Sequence, residues 1–153
     1  MNPLRLVIAV LALVGVIGTF LPWLVIPFLG TVNGTAGNGP GWITLGLFVA
    51  SAIAILATRP ARAVDTLAAL SSGIPALCAS LYAIYTLLDL QAQFADIGAS
   101  NSFAEALVGS VSVGVGVYLV IAMGIVVASA CGGAFLWDLR ARRTNPQGGA
   151  PHP

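Results

Sequence analysis

Residues 18–42 read GTFLPWLVIPFLGTVNGTAGNGPGW. The stretch opens oily, is interrupted by Pro22 and Pro27, and then dissolves into glycine and asparagine. Proline lacks an amide hydrogen and clashes with the preceding turn, so a helix that meets it kinks or frays. That is tolerable where water reaches the freed carbonyls and costly in the middle of a bilayer. Phe20, Trp23 and Phe28 gather around the break, and Trp42 stands on its far side. Amphipathic rings favour the headgroup zone of a membrane. Glycine then turns the chain, because it takes positive φ without steric penalty. The stretch reads as a membrane exit, a loop at 30–41 and a return. In that reading Pro22 is a kink, and Trp23, Trp42 and the later Trp137 are interfacial anchors.

The rest of the sequence fits a bilayer. Of 153 residues 58% are hydrophobic and only 7% charged, where a soluble domain carries about a quarter. Four stretches approach the roughly 20 apolar residues needed to cross a hydrocarbon core about 30 Å thick. They are Leu6–Ile26, Trp42–Thr58, Thr66–Leu88 and Leu107–Trp137. The fourth is longer than one perpendicular crossing requires, so its first turns are expected to project beyond the membrane, pack on the outer loop, or tilt. The segment 89–106 is polar, with room for a helical turn or two, and the tail 140–153 is expected to be disordered. The first apolar run exceeds the h-region of a cleaved signal peptide. The expected fold is all-α: one polytopic membrane domain over residues 1–139, an antiparallel four-transmembrane-helix bundle.

Orientation follows from the arginines. Arg5, Arg59, Arg62, Arg140, Arg142 and Arg143 all fall on one side of the four-span serpentine, and the opposite loops carry Asp89, Asp96 and Glu105 instead. The positive-inside rule then places both termini in the cytoplasm. A net charge of +1 leaves no basic face for a nucleic acid.

Small residues recur at every fourth position. Gly46, Ala50 and Ala54 lie in the second span, Gly124, Ala128 and Gly132 in the fourth, and Ala68, Ser72, Ala76 and Ser80 in the third. Such stripes let helix backbones approach closely. They leave open whether the contact is within one chain or between copies. Pro75, in the middle of the third span, deprives the carbonyl of Ser71 of its helical partner. This is either a structural kink relieved by nearby serine hydroxyls or a neighbouring helix, or a hinge or a pocket at Ser71–Gly73. Gly114 and Gly116 invite a nucleotide reading, which fails here because neither a strand before them nor a helix start after them is expected. Cys78 and Cys131 fall at depths of about 18 and 9 Å above the same face at ~1.5 Å per residue, too far apart in depth for a disulfide.

No Asp, Glu, Arg, Lys or His lies inside any of the four spans. Proton relays, ion pathways and intramembrane metal sites are built from such groups, and nucleophilic catalysis needs a base beside its nucleophile. No catalytic residue, cofactor or metal ligand is therefore expected. The pattern Gly18-x-Phe20-Leu21-Pro22-Trp23, the return at Gly41-Trp42, and the run from Val113 through Tyr118 to Gly124 resemble a group of small bacterial four-helix integral membrane proteins. That resemblance implies a plasma-membrane location and a fold rather than an activity. The likeness to claudin-type proteins is superficial. The first outer loop lacks their G-L-W motif and paired cysteines, and it is expected to be too short for an extracellular sheet.

The expected function is non-enzymatic: helix–helix contact in the bilayer, by self-association or as an accessory subunit of a larger membrane complex. The alternatives are a holin-like pore- or lesion-forming protein and a small-molecule transporter or flippase subunit.

Overall fold

The computed structural model describes residues 3–27, 30–57, 66–99, 106 and 108–144. Helix α1 spans Pro3–Phe20. Proline suits a first helical position, where its missing N–H costs nothing. Its inward face is Arg5, Ile8, Ala12, Gly15 and Thr19, a spacing of three and four residues that makes one stripe. Leu6, Val10, Leu13 and Ile17 occupy the opposite side and are exposed.

The chain does not continue as helix to Ile26. Helix α1 stops at Phe20, and Pro22–Ile26 forms strand β1. It pairs antiparallel with β2, Gly30–Asn33, in the register Leu24↔Val32, Val25↔Thr31 and Ile26↔Gly30, with an irregularity between Pro22 and Leu24. On its other edge β1 pairs with β3, Ser112–Val113, which gives a three-stranded sheet in the order β2-β1-β3. The physical reason lies in Pro22, which disfavours helical angles at Leu21, followed by Trp-Leu-Val-Ile, a run suited to a strand. Pro22 is therefore a helix terminator and a strand start, where a missing donor is tolerated, rather than a kink. The expectation of a loop too short for a sheet is corrected too, because a distant segment supplies the third strand.

After the sheet, Gly41 N–H donates to the Gly34 carbonyl at 2.8 Å, and α2 runs Gly41–Ala57. Helix α3 covers Thr66–Gly98 without a break at Pro75. At ~1.5 Å per residue it is about 50 Å long, ten residues beyond the predicted end at Leu88. Helix α4 spans Val115–Thr144. The predicted fourth span began at Leu107, but residues 112–113 belong to the sheet. The first residues of the predicted tail, 140–144, are helical, and the remainder lies outside the described residues. Helix α1 packs on α2 and α4, and α3 also packs on α2 and α4. The protein is thus mostly helical, and α1, α3 and α4 are long and apolar enough to cross a membrane.

The interior is rich in alanine, set around Ile8, Trp23, Phe48, Ile55 and Val120. Ala12, Ala52, Ala68, Ala76, Ala79 and Ala83 are buried, whereas Ile53, Leu67, Ile74, Leu81 and Leu136 are exposed. Hydroxyls link the helices across this interior. Ser51 Oγ donates to the Ser72 carbonyl at 2.8 Å and lies 2.9 Å from Ser72 Oγ. Ser80 Oγ donates to the Ile121 carbonyl at 2.9 Å. Ser51→Ala is expected to lower stability by about 0.6 kcal/mol, the average for such interhelical bonds, measured by denaturant unfolding in mixed micelles. A loss above about 2 kcal/mol would show that the hydroxyl does more than join α2 to α3.

Candidate functional site

The small-residue stripes divide into inward and outward sets. On α3, Ala68, Ser72, Ala76 and Ser80 are all buried. On α4, Gly124 packs into α3 against Ser80 Oγ and the Ala76 carbonyl, while Gly132 has open space where a Cβ would stand. Ala128 is half-buried. On α2 the buried face is Thr44, Phe48, Ser51 and Ile55. Gly46 and Ala50 are exposed and Ala54 is partly covered, and nothing lies within 4 Å of a Cβ built on Gly46. The predicted packing ridge of α2 thus turns away from its own helices.

The tryptophans separate as sharply. Trp42 and Trp137 are 52% and 75% exposed, but Trp23 is 4% exposed, a core residue rather than a surface anchor. Its Nε1 donates to the Gly18 carbonyl at 3.2 Å. Glycines make the room: a Cβ at Gly34 would strike the indole, and one at Gly116 would sit 2.8 Å from Trp23 Cδ1. Gly114 lies against the Pro22 carbonyl, and its N–H donates to the Trp23 carbonyl at 2.8 Å. A strand does precede Gly114 and a helix start does follow it, contrary to the sequence reading. The space that a phosphate would need is filled by β1 and the indole.

Helix α1 runs into β1 and α4 runs out of β3, so Arg5 and Arg140 lie toward the end remote from the sheet. Arg5 does not precede the helix. Pro3 starts it, and the arginine is carried onto the Ile8–Ala12 face, 2% exposed. Residues 142 and 143 continue α4, whereas Arg59 and Arg62 lie outside the described residues. Cys78 is exposed, Cys131 is buried, and both are free. At the Ser71–Gly73 step the surface carries an apolar groove of about 170 Å³ lined by Leu70, Gly73, Cys131, Gly132 and Phe135. Ser72 is engaged with Ser51 in the interior.

A larger cavity, about 590 Å³, lies at the sheet end, between the loop 33–40, the start of α2 and the middle of α3. Tyr82, Tyr85 and Asp89 line it from α3, and Asn38, Trp42 and Trp23 contribute the rest of its polar and aromatic lining. Positions 82, 85 or 86, and 89 fall on one helix face. Asp89 Oδ2 accepts from Gln93 Nε2 at 2.7 Å, and Trp42 Nε1 donates to the Gly37 carbonyl at 3.0 Å, which steadies the facing ring. In the sequence Asp89 reads only as an acid of the loops opposite the arginines. The Tyr-x-x-Tyr-x-x-x-Asp spacing was the signal that this reading passed over.

Comparison of the chain with protein-family models, with curated proteins and with solved structures found no match. The site is therefore interpreted from its own geometry.

Proposed function

We propose that this chain is a multi-pass integral membrane protein of the bacterial plasma membrane, an antiparallel four-helix bundle with cytoplasmic termini. Its task is contact with other transmembrane helices, either copies of itself or a larger assembly to which it is accessory. The observation that carries this reading is the outward Gly46–Ala50–Ala54 ridge of α2. Within lipid, large apolar side chains gain nothing by hiding, and close backbone approach through small residues is what drives helices together. Many large apolar residues outside and an alanine-rich interior suit that solvent. An outward ridge on α2 then suits a helix from elsewhere.

The test is proximity crosslinking in native membranes. In a Cys78→Ser background, Ala50→Cys is expected to give a crosslinked product, and adding Gly46→Leu is expected to reduce it at least fivefold. The mass of the product separates a homodimer from an adduct with another membrane protein. Gly46→Leu itself is expected to leave stability unchanged or raise it by up to about 1 kcal/mol, since leucine is the better helix former and the site is open. Absence of a crosslink, or one indifferent to Gly46→Leu, overturns the reading.

A further inference from the structure

We propose that the cavity at the sheet end binds an organic ammonium group. Asp89 supplies the counter-charge, and the rings of Tyr82, Tyr85 and Trp42 supply the walls. At about 590 Å³ the space falls within the range of small-molecule pockets, roughly 300–1,000 Å³.

The chemistry of the lining narrows the ligand. Aromatic faces carry negative quadrupole potential and attract cations, with alkylated ammonium groups the best-suited guests. Asp89 adds a full charge. Of its two oxygens, Oδ2 accepts from Gln93; among the described residues Oδ1 has no partner. Ile43 and Leu90, also in the lining, suit the carbon next to a charged nitrogen.

Among the described residues the arginines disfavour the simplest alternative, an internal ion pair. There is no lysine, and none of the six arginines falls within 18–58 or 66–139. Asp89 is 23 residues along α3 from its start, about 35 Å at ~1.5 Å per residue, and Arg5 and Arg140 lie toward the opposite end. At a Debye length of roughly 8 Å in physiological salt, charges that far apart do not neutralise one another. An anion is disfavoured for the same reason. A hard divalent cation is a poor match, because it seeks six or more oxygens and this wall offers a single carboxylate among rings.

An ammonium group reaches this site from either of two sources: the amine of a lipid headgroup or a free amine in solution. The proposal stands on the cavity alone, and it survives if the α2 ridge proves to have no partner.

The experiment is tryptophan fluorescence of the full chain in a nonionic maltoside detergent, which carries no amine of its own. In one arm tetramethylammonium chloride or ethanolamine hydrochloride is titrated against sodium chloride at matched ionic strength. In the other, nanodiscs of phosphatidylethanolamine are compared with nanodiscs of phosphatidylglycerol. A saturable change with the free amines identifies a soluble ligand. A difference between the two nanodiscs identifies a headgroup. In either case Asp89→Asn is expected to weaken the response at least about fivefold. Tyr85→Ala is expected to do the same, and Tyr85→Phe to keep it, because the ring rather than the hydroxyl does the binding. Equal thermal unfolding of the variants shows that the fold is intact. No saturable change in either arm, or a response that Asp89→Asn leaves unaltered, overturns the proposal.

Discussion

Gly124→Ala is expected to destabilise the protein by about 1–3 kcal/mol, the usual cost of forcing extra volume into a packed interior. Gly124→Leu is expected to abolish folding to a single state. A Cβ at this position would meet Ser80 Oγ and stand 2.5 Å from the Ala76 carbonyl oxygen. The hydroxyl could rotate aside, but the carbonyl belongs to helix backbone, so α3 and α4 must separate. Separation in turn stretches the bond from Ser80 Oγ to the Ile121 carbonyl. Gly132 is the internal control. It lies on the same predicted stripe, two turns away, and has open space around it. Gly132→Ala is expected to leave stability unchanged or raise it by up to about 1 kcal/mol, because alanine is the better helix former. Denaturant unfolding followed by circular dichroism in mixed micelles separates the two. Equal effects at positions 124 and 132 would contradict the α3–α4 contact described here.

That contrast shows how far the sequence could be read. Periodic small residues reveal that a helix has a close-packing face, but not which way the face turns. The stripes of α3 and α2 look alike in sequence. The first lies wholly inside and the second largely outside, because Phe48 fills the α1–α2 contact and rotates Gly46 away: a Cβ on Gly15 would stand 2.5 Å from the Phe48 ring. Only the partner helix decides this, and it is not local information. The apolar lengths of the helices were legible for a simpler reason, since backbone hydrogen bonds are satisfied within each segment.

The sheet was not legible, because strand pairing is non-local. Residues 22–26 are as apolar as the helix before them, and a short apolar run does not distinguish strand from helix by periodicity. Their partner Ser112–Val113 lies far along the chain, inside a stretch that reads as the start of a spanning helix. Gly114 and Gly116 were the available clue. Two glycines beside a strand mark close approach of another backbone, and here they admit β1 and the Trp23 indole. The cavity was hidden for a related reason. Tyr82, Tyr85 and Asp89 read as the end of a span until the loop 33–40 and Trp42 are set against them.

Trp23 joins these features, and among side-chain truncations its loss carries the largest expected effect. Trp23→Ala should cost about 3–5 kcal/mol, as for other buried large aromatics. The indole fills the space between the sheet and the helix ends, bonds to the Gly18 carbonyl at 3.2 Å, and is bordered by Gly34 and Gly116, where an added Cβ would crowd it. With the ring gone those glycines face a void, and the sheet loses its anchor to α1 and α4. Amide hydrogen exchange should locate the damage: the Gly114 amide, which donates to the Trp23 carbonyl, should lose protection before the amides in the middle of α3. Trp23→Phe should recover part of the loss, because it restores ring volume without the hydrogen bond. Trp42→Ala and Trp137→Ala should each change stability by less than about 1 kcal/mol, since both rings are largely exposed. The two cavity tryptophans should therefore separate by readout. Trp42→Ala should weaken the ammonium response in a stable protein, whereas Trp23→Ala should lose both together. A Trp23→Ala protein as stable as the parent would show that the sheet holds its place without the indole.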